Sequence, residues 1–346
     1  MKVIEKILVL RPRFLGDLVL ATALTGVLKR EWPQAQISFL TEGAYAPALD
    51  HHPDLHEVIA FDASRKNNAL YLFRFYQNLR RKKFDAVLDL FGNPRTALMS
   101  FFSGAPTRVG FDLRGRAWAY TRLAPPSSPP LASGRRPVIE AYLDQARVLG
   151  LKTEGPAPTF LKVSDEEKEY VRKVLGRARF RPGERLAVLA PGASWPAKHW
   201  PLEKFVELGA RLKAEGFRIL AVFGPKEKKL VEGFQDRMDK DWILLQEPSL
   251  RGLMAFIEAA DLLVANDAGP MHIGPAVGTP TLGIFGPSEP EVWFPYGAPH
   301  RVFYAEVPCA HCGLDACPLM ACLKNITPQE VARAALAAAR TAPQKP

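Results

Sequence analysis

Short apolar runs, each ending in a polar loop with glycine or proline, recur through this chain and constrain it more than any other feature. Lys6–Leu10 runs into Arg11-Pro12-Arg13-Phe14-Leu15-Gly16-Asp17, and Leu186–Ala190 runs into Pro191-Gly192-Ala193-Ser194. Leu262–Ala265 runs into Asn266-Asp267-Ala268-Gly269-Pro270, and Thr281–Phe285 into Gly286-Pro287. Between them lie stretches with helical spacing of apolar residues: 18–29, 68–82, 138–149, 202–214, 253–260, 271–277 and 331–340. Ile37–Leu40, Val58–Phe61, Ala86–Leu90, Ile219–Phe223 and Trp242–Leu245 supply further strands. Buried strands alternating with helices predict an α/β fold with doubly wound parallel sheets. In such sheets ligands bind where the strands end, so the loops are where function is to be sought.

The pattern occurs twice. A chain of 346 residues suits two domains, predicted at 1–165 and 183–346 with the linker in the proline- and glycine-bearing stretch 150–183. Ser164-Asp165-Glu166-Glu167 has capping-box spacing for a helix start. Residues 122–137, with Pro125, Pro126, Pro129, Pro130, Ser127, Ser128, Ser133 and Gly134, predict an exposed loop. The last helix is expected to pack back on the first domain.

Charge is uneven. The net +10 lies mostly in the first half, where 21 Lys and Arg face 13 Asp and Glu in residues 1–150. Phosphorylated substrates, acidic lipid head groups or nucleic acid would suit such a surface, as would solubility alone. No apolar run reaches the roughly 20 residues a bilayer span needs, and Met1–Lys6 has no signal-peptide pattern. A cytoplasmic protein is expected. GxGxxG does not follow the first strand and GxxxxGK[ST] is absent, against a dinucleotide dehydrogenase or P-loop enzyme.

The loops carry the candidate chemistry. Glycine and helix-start amides around Gly269 to Met271 suit phosphate, and Asp267 and His272 beside them suit a sugar joined to a nucleotide diphosphate. Capping by Asp267 and packing of His272 is the plainer alternative. Asp17, at a strand-to-helix turn, can cap the helix or act as a general base. Lys198 can neutralise a diphosphate. Arg65-Lys66 and Arg114-Gly115-Arg116 lie in predicted loops and suit anionic groups. Arg80–Lys83 is better placed to complement a helix dipole. Leu72, Phe75, Tyr76 and Leu79 form a core stripe on the helix 68–82, with Phe73 beside it as a place where membrane contact is conceivable.

Asn266-Asp267-Ala268-Gly269-Pro270-Met271-His272-Ile273, followed by Gly278-Thr279-Pro280-Thr281-Leu282-Gly283-Ile284-Phe285-Gly286-Pro287-Ser288-Glu289-Pro290, resembles the donor signature of glycosyltransferase family 9, the lipopolysaccharide heptosyltransferases. Arg11–Thr22 is similar to the family's N-terminal motif, and Pro191–Pro201 to the motif around its phosphate-binding lysine. Similarity spans about residues 6–340 and is greatest to the enzymes that add the second heptose.

The resemblance implies GT-B architecture, two Rossmann-like domains facing across a cleft. The first would bind the acceptor and the second the nucleotide sugar. It implies an inverting transferase with ADP-L-glycero-D-manno-heptose as donor and heptosyl-Kdo2-lipid A as acceptor, in peripheral contact with the inner membrane. No cofactor, no nucleic acid and no metal at the site are expected, since no DxD pair is evident. Asp17 is implied as base. Ser194, Lys198, Glu227, Asp267, Gly269, Pro270, Met271 and His272 are implied donor contacts, with Glu227 on the ribose. Ala193 lacks a hydroxyl that would give a second contact. Arg65, Lys66, Arg114 and Arg116 are candidates for the acceptor. An epimerase or hydrolase of the same fold, or another donor sugar, remains an alternative, as does a nucleic-acid or zinc-dependent binding module. Cys309, Cys312, Cys317 and Cys322 would suit tetrahedral zinc, or be plain or oxidised thiols.

Overall fold

The computed structural model describes residues 4–126, 136–181, 183–297 and 299–341. The chain forms two compact units, Met1–Lys162 and Val163–Pro346. The first contains β1 (Lys6–Leu10), α1 (Leu15–Glu31), β2 (Gln36–Glu42), β3 (Leu55–Phe61), α2 (Ala69–Arg81) and β4 (Ala86–Asp89). It continues with α3 (Pro94–Phe102), β5 (Thr107–Phe111), β6 (Arg122–Ala124) and α4 (Val138–Val148). The second contains α5 (Asp165–Arg177), β7 (Arg185–Ala190), α6 (Leu202–Ala214), β8 (Phe217–Phe223), α7 (Lys228–Gln235), β9 (Ile243–Gln246) and α8 (Leu250–Ala259). It ends with β10 (Leu262–Asn266), α9 (Gly269–Ala276), β11 (Thr281–Ile284), α10 (Pro290–Trp293), β12 (Arg301–Phe303), α11 (Ala321–Lys324) and α12 (Pro328–Thr341).

Each unit has a six-stranded sheet, in the orders β3-β2-β1-β4-β5-β6 and β12-β11-β10-β7-β8-β9. Every strand pair is parallel. The predicted doubly wound parallel sheets are therefore present, twice. The order fixes where loops diverge: the chain reverses direction across the sheet between β1 and β4, and between β7 and β10. Loops leaving adjacent strands there open a crevice.

Burial explains the elements. The strands at the centre of both sheets are fully buried, as continuous apolar runs in parallel sheets must be. On one face of the first sheet, Leu8, Leu10, Leu40, Phe61 and Val87 meet Leu79 of α2 and Met99 of α3. On the second, Trp200, Phe205, Phe223, Phe234 and Trp242 gather with Val331 and Ala335 of α12. The last helix, expected to return to the first domain, instead spends its apolar face on α6 and β10 of its own unit.

Residues 122–124, expected in a loop, are β6 on the sheet edge, where Leu123 pairs with Gly110. Pro129, Pro130, Ser127, Ser128, Ser133 and Gly134 of that loop lie outside the described residues. Ser164 caps α5 through the Glu167 amide, with the Glu167 carboxylate returning to the Ser164 amide at 2.8 Å. The second unit starts at Val163, so α5 with its Ser164 cap lies in that unit.

Beneath the tip of β4, Asp89 is fully buried. It accepts the amides of Phe91 (3.0 Å) and Gly92 (2.9 Å) and the Tyr120 hydroxyl (2.7 Å). Burial pushes the Asp89 carboxyl up, and burial with the neighbouring Asp89 pushes the Tyr120 hydroxyl up. Tyr120 lies flat on Gly110 of β5, where any Cβ would collide with the ring. Gly110→Ala is expected to cost about 1–3 kcal/mol of stability by overpacking. Urea unfolding checks this, and an unchanged midpoint would mean that the ring yields freely.

Candidate active site

The loop after β7 is tied down at both ends by one side chain. Asn266, at the end of β10 and fully buried, donates to the Pro191 carbonyl (2.6 Å) and accepts the Trp200 amide (3.2 Å). Between these anchors the loop carries Ser194, exposed, and Lys198, whose Nζ lies 2.6 Å from Asp267 Oδ2. The ammonium sits 4.8 Å above the Trp195 ring. Asp267 is 6% exposed and Lys198 17%, so the pair is mostly desolvated. Lys198 and Asp267, read separately from the sequence, thus meet at the β7–β10 crevice.

Glu227 belongs to the same crevice. Its carboxylate accepts the Gly224 amide at 2.8 Å and lies so close over Gly192 that a Cβ there would collide with it. Burial pushes the carboxyl up, opposed by the Gly224 hydrogen bond and by His199. The His199 ring bonds the Ala193 carbonyl at 2.9 Å.

α9 starts at Gly269, with Pro270 second and Ala268 as an extended N-cap. Gly269 and Pro270 are half-buried at this rim, while His272 is buried beneath it. Met271 departs from expectation. Its side chain is fully buried with the sulfur over Gly283, and its amide closes a turn on the Ala268 carbonyl at 3.0 Å. Pro270 has no amide and the Met271 amide is engaged, so among the first three helical residues only Gly269 has an N–H outside that turn.

Asp17 occupies the corresponding crevice of the first sheet. α1 begins at Leu15, three residues before its predicted start, which makes Asp17 the third helical residue rather than the cap. Its Oδ1 receives the Arg11 guanidinium and the Tyr142 hydroxyl, the latter at 3.2 Å. Oδ2 meets the Phe14 amide at 3.4 Å. Arg11 also donates to the Leu90 carbonyl (2.7 Å), which ties the β1 and β4 loops together. Burial pushes the Tyr142 hydroxyl up, against the pull of Arg11. Arg11 and Tyr142 escaped the sequence reading. Arg11 stood inside the quoted motif, but Tyr142 is 125 residues away and carried no local signal.

Of the four basic candidates in the first unit, Lys66 lines a cavity of about 350 Å³ with Arg13, Glu42, Ala63, Asn93, Pro94 and Arg95. Asn93 caps α3 by accepting the Thr96 amide at 2.8 Å and Pro94 has no N–H, so the lining's charge comes from three cations and the Glu42 carboxylate. Arg65 lies beside the cavity with its guanidinium 4.7 Å over Tyr71. Arg114 and Arg116 lie on the turn between β5 and β6 and do not line it.

Cys309 and Cys312 are exposed, Cys317 and Cys322 half-buried, and all four are free thiols. The Cys317 sulfur accepts the Met320 amide at 3.4 Å, and burial pushes the Cys322 thiol up. Among the described residues no group of three or more His, Cys, Asp or Glu is placed to hold a metal ion.

Residues 72–322 match glycosyltransferase family 9 (heptosyltransferase). The chain is 27% identical over 314 residues to lipopolysaccharide heptosyltransferase 2 of Escherichia coli (strain K12), covering 86% of this chain and 87% of that one. It is 28% identical to the Salmonella typhimurium (strain LT2) heptosyltransferase 2 with the same coverage. A glycosyltransferase family 9 structure from Veillonella parvula DSM 2008 shares the fold with a TM-score of 0.85 at 22% identity, over 98% of this chain and 99% of that one. The E. coli ADP-heptose lps heptosyltransferase II structure does so at 0.79 and 24% identity, over 97% and 98%. These likenesses bear out the GT-B pair of Rossmann-like sheets.

Glu227 gives this crevice a pH signature. A carboxyl raised by folding contributes its stability below its unfolded pKa and loses it as pH rises through the folded value. Glu227→Gln keeps an acceptor for Gly224 and removes the titration. The variant's Tm is expected to gain on that of the parent as pH rises above the ordinary carboxylate value of 4.5. Parallel Tm curves across that range would remove burial as the dominant influence on Glu227.

Proposed function

This chain belongs to glycosyltransferase family 9, and from that premise we propose that it transfers L-glycero-D-manno-heptose from ADP-heptose to a heptosyl-Kdo2-lipid A acceptor. That it is a glycosyltransferase follows from the family; the donor sugar, the nucleotide and the second-heptose position are our reading. The similarity to the two heptosyltransferase 2 enzymes supports it. The Lys198–Asp267 pair at the β7–β10 crevice carries it. A diphosphate would draw the ammonium from the carboxylate, leaving Asp267 to accept sugar hydroxyls. Lys198 and the Gly269 amide would then meet the charge that develops on departing ADP. Glu227, over Gly192, is placed to accept ribose hydroxyls, with Ser194 and Pro270 at the rim and His272 supporting from below.

On the acceptor side, Asp17 would take the proton of the attacking hydroxyl. Oδ1 is held by Arg11 and Tyr142, which leaves Oδ2 as the oxygen to receive it. The hydroxyl oxygen attacks the anomeric carbon as the bond to ADP breaks, giving inversion in one displacement. The Arg13, Lys66 and Arg95 cavity suits the acceptor's phosphate or carboxylate groups, which guanidinium binds in bidentate fashion. Arg65 flanks it, and Arg114 and Arg116 would reach only more distant parts of a large acceptor. The first unit would thus serve the acceptor and the second the donor, at the inner face of the cytoplasmic membrane. Asp17 also meets the Phe14 amide as the third residue of a capping box, so the base role would fall to a carboxylate that also holds the helix start.

Asp17→Asn is expected to lower transfer by about 10²–10⁴-fold while ADP-heptose still raises the Tm. Normal turnover in that variant would remove Asp17 as base. Incubating ADP-heptose with and without acceptor separates transfer from hydrolysis or epimerisation, which consume donor alone. A melting panel of nucleotide sugars fixes the donor; stabilisation by a uridine sugar in preference to ADP-heptose would replace it.

A further inference from the structure

α2 is apolar on two sides. Its inner stripe, with Phe75 and Leu79, packs on the first sheet. Its outer side carries Leu70 and Phe73, which are 58% and 59% exposed. Three residues apart, these two share one stripe, and Tyr76 continues it by another three. Tyr76 stacks on Phe102 at the end of α3, with ring centroids 5.0 Å apart. Phe102 meets Phe101 edge-on at 5.4 Å, and Phe101 meets Trp118 at 5.4 Å. Phe101, Phe102 and Trp118 are all exposed. Tyr76, Phe102, Phe101 and Trp118 thus form a chain of ring contacts from α2, across the end of α3, to the turn after β5, with exposed Leu70 and Phe73 further along the same side of α2. Scattered exposed apolar residues need no explanation, but a contiguous run of this kind marks a contact surface.

The margin of the ridge is cationic. Residues 65–122 contain twelve Lys and Arg against three Asp. Of those three, Asp89 is buried and Asp85 is engaged by the Glu5 and Lys6 amides. Arg74, Arg80 and Arg81 are exposed on α2 itself, and the Arg108 guanidinium lies 5.8 Å over the Phe101 ring.

We propose that this aromatic ridge and its cationic margin form a docking surface for an anionic phospholipid bilayer. Trp and Tyr favour the boundary between head groups and acyl chains, where the ring is dry and the N–H or O–H stays wet, and the phenylalanines and Leu70 add apolar area to bury. Arginines around them gain from acidic head groups within a Debye length. Charge decides against a second copy of this chain as the occupant, since two such margins would face each other and repel. The proposal rests on the lipid-linked acceptor of the preceding subsection only for its biological sense; the surface itself owes nothing to the transfer site.

Flotation with vesicles tests it. The full chain is expected to float with phosphatidylcholine vesicles containing roughly 30% phosphatidylglycerol, less so as salt is raised, and not with pure phosphatidylcholine. Phe73→Ser with Trp118→Ser should cut the bound fraction by about tenfold, with unchanged Tm and unchanged transfer to a deacylated, water-soluble acceptor. Equal flotation of parent and variant overturns the proposal, as does equal binding to neutral vesicles. So does a parent that ignores vesicles but sediments as a dimer that the variant abolishes. Failure of both proteins to transfer heptose to the soluble acceptor, with flotation intact, would sink the transferase reading and leave this surface standing.

Discussion

One buried amide organises the second unit. Asn266 ends a fully buried strand and has no water to bond, so its carbonyl and amino groups must find partners in the protein. It finds them on both sides of the β7 loop, at Pro191 and Trp200. A segment rich in proline, glycine and alanine, which would otherwise be free to wander, is thereby closed between two fixed points. Lys198 lies inside that closure and Asp267 is the next residue after the clamp. Their ion pair is therefore set by backbone geometry, and neither side chain has to search for the other. The first unit uses a guanidinium for the same purpose: Arg11 spans from the end of β1 to the Leu90 carbonyl and grips Asp17 on the way.

Both clamps sit where the strand order reverses. Adjacent strands there send their loops to opposite faces, so the backbone groups at the crevice are not covered by a neighbouring crossover. Polar residues at these positions can be half-buried, near enough to the sheet to be held and near enough to the surface to meet a ligand. Elsewhere along the same strand ends, as at Phe285 and Phe223, the positions are filled by core residues. The duplication of this device is consistent with a chemistry that needs two binding surfaces, one for each substrate.

The buried strands were legible because a parallel sheet demands uninterrupted apolar runs, which few other structures tolerate. β5, β6 and β12 were not seen as strands. β5 contains Gly110 and Arg108, β6 has three residues with two exposed, and β12 also has three. β6 and β12 are edge strands, which need neither length nor continuous apolarity, whereas β5 lies between β4 and β6 and was hidden by its glycine and arginine. α3 was hidden behind Pro94, which looked like a loop residue but is the first position of a helix capped by Asn93. At the candidate site, Lys198, Asp267 and Asp17 could be located because each stands in the connection that follows a strand. What the sequence withheld were the partners. Tyr142 reaches Asp17 from α4, Glu227 lies over Gly192 from the loop after β8, and Arg95 meets Arg13 and Lys66 at one cavity. Such pairings are made by the order of strands in the sheet, which no local pattern encodes.

Met271 marks the boundary between reading a motif and reading its geometry. In the string Gly269-Pro270-Met271-His272 every residue is adjacent to the helix start, and all four were expected at the ligand. A helix turns by about 100° per residue, so adjacent residues cannot all face one way. Gly269 is half-buried at the rim, whereas Met271 is buried against the sheet and fills the gap left by Gly283. The glycine of β11 and the methionine of α9 are thus one packing unit, which draws the helix close against the strand. That closeness sets the start of α9 beside the end of β10. On the proposed donor reading, Met271 would therefore act by packing, holding the helix start in place and leaving contact with phosphate to the Gly269 amide.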